Sequence, residues 1–166
     1  KFDEILSAID HPSILKYIGY FLYNLDFEPC LTILFEPCLI TDFDQQPEPL
    51  YIILFLESIG AQQDGWTFTK KLINIYGIAS GMEYLHSKNI VHCSLTTKNI
   101  LYDKNFYPKI SGFLEMQTES YSNIKKLDHL MNYPVYIAPE FYKSNIYEKP
   151  CDVYAFSIIM YEILIS

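Results

Sequence analysis

The side chains best suited to metal or thiol chemistry are the four cysteines, Cys30, Cys38, Cys93 and Cys151, and the histidines His11, His86 and His129. The cysteines are far apart and form no C-x-x-C pair, and these histidines have no spacing that would bring two of them to one ion. No signal-peptide pattern accompanies them, so reduced thiols in the cytoplasm are expected in place of a disulfide framework. Carboxylates offer a second chemistry. Asp103 and Glu115 could each take a proton from a hydroxyl, whereas Asp152, at the head of an apolar run, is suited to capping a helix.

The elements that must position these groups can be read from the hydrophobic pattern. The chain has 166 residues, half of them hydrophobic, which is enough for one domain with a core. Twelve Lys plus Arg against twenty Asp plus Glu leave a net charge of -8, and no basic cluster could neutralise a row of phosphates. Nucleic acid and anionic membranes are therefore not expected as partners. The most apolar stretches, Leu50 to Leu56 and Val153 to Ile165, are too short or too interrupted to cross a bilayer.

Phe2, Ile5, Leu6 and Ile9 run at helical spacing until His11-Pro12 stops them. Ile14 to Tyr23 and Leu31 to Glu36 are β-like runs suited to an antiparallel pair, and the acidic, Pro-rich stretch from Pro37 to Pro49 reads as a loop. From Thr67 to His86 an amphipathic helix sets Leu72, Ile75, Ile78, Ala79, Met82 and Leu85 on one face. Ile90 to Tyr102 and Tyr107 to Ser111 suggest short strands about a tight polar loop. A polar segment, Glu115 to Asn132, precedes a last apolar helix, Asp152 to Ser166. The first helix looks entered midway and the last has no Gly stop or charged final turn, so a fragment of a larger domain is expected.

Ile78-Ala79-Ser80-Gly81-Met82-Glu83-Tyr84-Leu85-His86, followed by Ile90-Val91-His92-Cys93-Ser94-Leu95-Thr96-Thr97-Lys98-Asn99-Ile100-Leu101, resembles the helix and catalytic loop of eukaryotic protein kinases, with a tyrosine-kinase-like flavour. Lys109-Ile110-Ser111-Gly112-Phe113 falls where the family has D-F-G. Ala138-Pro139-Glu140 matches A-P-E, and Asp152-Val153-Tyr154-Ala155-Phe156-Ser157 is similar to the start of the following helix. His11-Pro12-Ser13-Ile14-Leu15-Lys16 resembles the turn after the regulatory αC helix. The resemblance implies an α+β, two-lobed protein kinase-like fold, here partial: the end of the small lobe over residues 1–36, a hinge and loop over 37–49, and a mainly helical large lobe over 50–166, cut at its central helix. The Gly-rich loop and the ATP lysine of the family would precede Lys1.

The chemistry implied by the family is degenerate in this chain. Phosphoryl transfer needs an Asp to accept the substrate proton, and an Asn and a second Asp to hold Mg²⁺ on the phosphates. At the loop positions H-R-D-L-x-x-x-N, Cys93 replaces the Arg, Ser94 the Asp, and Thr96 a phosphate-facing Lys; Asn99 alone is kept. Gly112 replaces the metal-binding Asp, Leu114 replaces the last Gly of its motif, and Phe2 stands at the αC position that usually pairs with the ATP lysine. Leu6, Tyr17, His92 and Phe113 match four positions that stack into a spine joining the lobes. Asp152 would bond to the backbone of the catalytic loop, and Glu140 would pair with an Arg beyond Ser166.

Phe35 falls at the gatekeeper, and Glu36 to Cys38 would present backbone groups to an adenine. ATP binding, weak and independent of Mg²⁺, is thus the most that is expected of the cleft. Cys38 and Cys93 lie near it as ordinary buried thiols. Thr118, Ser120, Tyr121 and Ser122 fall in the family's activation loop, where added phosphate would meet Lys125 or Lys126. The function implied is that of a pseudokinase with protein partners, an active kinase among the candidates; the alternative is a weak, unconventional kinase. If the two missing carboxylates are the main defect and the nucleotide site is otherwise whole, Ser94→Asp with Gly112→Asp is expected to raise activity above either single change.

Overall fold

A computed structural model describes residues 2–25, 28–38, 50, 53–54, 66–103, 105–113, 116–118 and 132–166. Helix α1 (Phe2–Ser7) buries Leu6 and leads through the His11-Pro12 turn to an antiparallel ribbon, β1 (Tyr17–Leu25) with β2 (Glu28–Phe35). Its register runs from Tyr17 opposite Phe35 to Leu25 opposite Glu28, with an irregularity between Tyr17 and Gly19. Most of the Pro37 to Pro49 loop and of the Glu115 to Asn132 segment lies outside the described residues.

Helix α2 (Phe68–Ser87) starts where Thr67 caps it, the Thr67 hydroxyl accepting from the Lys70 N–H at 3.3 Å. Its buried face is Asn74, Gly77, Ile78, Gly81, Met82 and Leu85. Leu72, assigned to that face by pattern, is instead exposed. It stands two residues before Asn74, about 200° round the helix axis.

The two glycines explain why this face can be so close to its neighbours. A Cβ at Gly77 would stand 2.7 Å from Cγ of Pro108, and one at Gly81 would stand 2.7 Å from Cδ1 of Ile110. Bare backbone therefore lets α2 lie directly on the His11–Leu15 turn and on strand β5 (Pro108–Ile110). That turn is itself stitched to β5, since Leu15 N donates to Ile110 O at 2.8 Å and Ile110 N to Ser13 O at 2.8 Å. His11 stacks on Tyr84 of α2 with ring centroids 5.2 Å apart, and the Tyr84 hydroxyl accepts from Asp10 N at 3.2 Å.

Gly77→Ala tests this contact. Alanine should gain up to about 1 kcal/mol of helix propensity, but overpacking against the rigid Pro108 ring typically costs about 1–3 kcal/mol. A net loss of stability in denaturant unfolding is expected.

Beyond α2 come β3 (Ile90–Val91), β4 (Ile100–Tyr102) paired with β5, and β6 (Gln117–Thr118) paired with β3. Short helix α3 (Pro139–Ser144) precedes α4 (Lys149–Ile165), which crosses α2. Helix α4 begins three residues before the sequence places it, because Pro150 suits the first turn, and its N-cap is Glu148. Asp152 is thus not the cap; it lies inside the first turn with a fully buried side chain. Among the described residues no helix is long and apolar enough to cross a membrane.

Candidate functional site

The loop between β3 and β4 is organised by Asp152. Its Oδ2 accepts from the His92 N–H at 2.9 Å and lies 2.9 Å from His86 Nε2, while Oδ1 accepts from the Cys93 N–H at 3.1 Å. Two successive backbone donors on one carboxylate fix the chain direction, and they hold Cys93 at φ +63°, a left-handed conformation that a side chain rarely adopts unaided. The role drawn from resemblance, bonding to the loop backbone, is the geometry seen.

His92 is buried and uses both ring nitrogens. Nε2 lies 2.8 Å from the Ser111 carbonyl, which can only accept, so the proton is on Nε2; Nδ1 then accepts from the Ser94 N–H at 3.2 Å. The ring therefore ties Ser94 to the strand leading to Gly112. It is a packing and positioning group in its neutral form.

Asn99 closes the loop from the other side. Its Nδ2 donates to Ser94 O at 2.6 Å and to Ser94 Oγ at 3.1 Å. The Asn99 backbone carbonyl accepts from Ser111 N at 2.8 Å and Ser111 Oγ at 3.1 Å. Gly112 follows at φ +85°, and a Cβ there would fall 2.6 Å from both Cγ and Nδ2 of Asn99. A hard cation such as Mg²⁺ needs converging oxygens. Here Gly112 has no side chain, and the Asn99 amide, whose N–H₂ end is held by Ser94, leaves Oδ1 as the one side-chain oxygen of the pair, so these two residues do not make the converging oxygen set the metal needs. Asp103, considered as a substitute base, is engaged elsewhere: Oδ1 accepts from Asn105 N at 2.8 Å and Tyr107 N at 3.0 Å, closing the β4–β5 turn. Glu115 lies outside the described residues.

Thr96 is buried, and next to it Thr97 Oγ1 lies 2.9 Å from the Tyr136 hydroxyl, which donates to Glu162 Oε2 at 2.7 Å. This link from loop to α4 was not foreseen. Its signal was present: Glu162 is the single charged residue in the run Val153 to Ile165. Burial lifts the Glu162 carboxyl above its usual range, with the Tyr136 bond opposing.

The expected stack of Leu6, Tyr17, His92 and Phe113 has a further member. Ring centroids run Tyr17 to Phe35 at 6.0 Å, Phe35 to Phe113 at 6.0 Å and Phe113 to His92 at 5.8 Å. Phe35, read as a gatekeeper, bridges the aromatic groups, and Leu6 is buried in the same core. The side chain of Phe2 is not among those described.

Residues 3–166 match the family described as protein tyrosine and serine/threonine kinase. The chain belongs to the protein kinase family. It is 30% identical over 169 residues to integrin-linked protein kinase 1 of Arabidopsis thaliana, a match covering 96% of this chain and 31% of that protein. It is also 27% identical over 161 residues to a Dictyostelium discoideum protein named as a probable serine/threonine-protein kinase, with 97% of this chain and 11% of that protein covered. The chain thus spans less than a third of the length of these relatives. Its mixed fold, small-lobe strands followed by large-lobe helices, is that of a partial kinase domain.

In this kinase-family chain the residue after β2 is clipped to β5. Glu36 Oε1 accepts from Lys109 Nζ on β5 at 2.8 Å and from Lys16 N at 3.1 Å. Partial burial opposes ionisation of Glu36, but the Lys109 and Lys16 contacts outweigh it and hold the carboxyl below its usual range. Burial, with Glu36 nearby, pushes the Cys38 thiol up to about 11, and Cys93 is fully buried. Cys38 therefore lacks the depressed thiol of a reactive cysteine. Glu140 is exposed in the first turn of α3.

Proposed function

We propose that this kinase-family chain is catalytically impaired and works by binding, as a scaffold or allosteric regulator in cytoplasmic phosphorylation signalling. The reading is carried by one joint observation: Ser94 stands at the proton-accepting position and Gly112 at the metal position, so both carboxylates are missing from a loop that is otherwise held in order. The backbone frame supports it. Asp152, His92 and Ser111 keep the loop shape, which a binding surface needs, while the groups that would move a phosphoryl are gone.

Protein partners follow from this role, with an active kinase as one candidate, and residues 1–36, 37–49 and 50–166 would supply small lobe, hinge and large lobe. The second reading is a weak, unconventional ATP-dependent kinase. It is favoured by the names of the relatives, both called kinases.

Nucleotide handling tests the proposed state of the cleft. In the protein that carries this chain, any rise in melting temperature on adding ATP is expected to be the same with and without Mg²⁺, since residue 112 supplies no ligand. A rise seen only when Mg²⁺ accompanies ATP would count for the second reading.

A further inference from the structure

We propose that Asn99 and Gly112 form a matched pair that closes the cation position of this site: the Asn99 amide fills the volume any side chain at 112 would need. The site is then packed shut, and lacks more than a carboxylate. This rests on the reading of Ser94 and Gly112 above and deepens it.

The backbones cannot draw apart. Ser111 N and Oγ both hydrogen-bond to Asn99 O, and the β4–β5 register sets Ile100 opposite Ile110, so residues 99 and 112 are fixed on adjoining strand ends. Nor is the side chain free to swing aside without loss, because Nδ2 holds Ser94 O at 2.6 Å and Ser94 Oγ at 3.1 Å. Turning the amide end for end would set Oδ1 against the Ser94 carbonyl with no proton between two acceptors. Asn99 thus spends its donors on Ser94, and its Oδ1 end is packed toward position 112. At Gly112 a Cβ would meet Cγ and Nδ2 at 2.6 Å and Oδ1 at 2.9 Å, and the φ of +85° strains any L side chain.

On this proposal the rescue by Ser94→Asp with Gly112→Asp fails. A carboxylate at 112 collides with Asn99 before it can reach a metal, and the loop yields first.

Melting of the protein that carries this chain, without nucleotide, tests the pairing in four forms: wild type, Gly112→Ala, Asn99→Ala and the double variant. Gly112→Ala is expected to lower the midpoint by about 5 °C in the wild-type background. With Asn99→Ala already present, the same change should cost less than about half as much, the remainder being backbone strain. If Gly112→Ala fails to fold, folding of the double variant supports the pair. Equal losses in both backgrounds, no loss in the first, or failure of both to fold overturns it. Calorimetric titration of Gly112→Asp with Mg²⁺ should show no saturable binding; a Gly112→Asp protein that melts like wild type and binds Mg²⁺ also overturns the inference. Phosphotransfer by the wild type would sink the functional reading and leave the melting comparison standing, so the two failures are distinguishable.

Discussion

Asp152→Ala is expected to lower stability by about 3–5 kcal/mol, the range found when one partner of a buried charged network is removed. The carboxylate is fully buried, and His92 N, Cys93 N and His86 Nε2 all converge on it. Truncation leaves two backbone N–H groups unpaired in the interior, each costing about 1–3 kcal/mol. It also releases Cys93 from its left-handed conformation. Asp152→Asn keeps one acceptor oxygen and should lose less. Urea unfolding of both variants ranks them, and hydrogen exchange at the His92 and Cys93 amides should rise sharply in Asp152→Ala. An alanine variant within about 1 kcal/mol of wild type would mean that the loop is held by something other than this carboxylate.

Phosphoryl transfer from ATP is expected to be lost to within the blank. Removing a general base costs about 10²- to 10⁴-fold, and kinases turn over at about 1–100 per second. The Ser94 hydroxyl is nearly buried and accepts from Asn99, and it cannot take a proton near neutral pH as a carboxylate does. The absent metal ligand removes charge neutralisation as well, though the two losses need not multiply. Ser94→Asp alone should therefore stay within about tenfold of wild type, because nothing at 112 clamps the nucleotide. Asp103 offers no bypass while its carboxylate closes the β4–β5 turn.

Much of this was legible in the residues because local rules carry it. Runs rich in Ile, Leu, Tyr and Phe pointed to the β1–β2 ribbon, the apolar periodicity that starts at Thr67 pointed to α2, and the ordered motifs from His11 to Ser157 pointed to the family. What escaped depends on packing between distant segments. Pattern alone sets Leu72 on the apolar side of α2, yet the buried side is the one where Gly77 and Gly81 admit Pro108 and Ile110, and a glycine carries no hydrophobic signal. Asp152 at the head of an apolar run looks like a cap until Pro150 starts the helix earlier and turns it inward. Asn99 reads as the one metal ligand kept, and only its side-chain contacts show it hydrogen-bonded to Ser94 and packed against Gly112. Phe35 joining Tyr17 to Phe113 and Lys109 reaching Glu36 are likewise contacts across tens of residues, invisible to any local spacing.

Transfer of radiolabelled phosphate from ATP, with the protein that carries this chain offered itself and generic peptides as acceptors, tests the central claim most directly. Label no greater than in a matched blank, and unchanged in Asn99→Ala, is the predicted result. Wild-type turnover above the blank that disappears in Asn99→Ala would contradict the account, since it would show a working metal-dependent site where Ser94, Asn99 and Gly112 are argued to be closed.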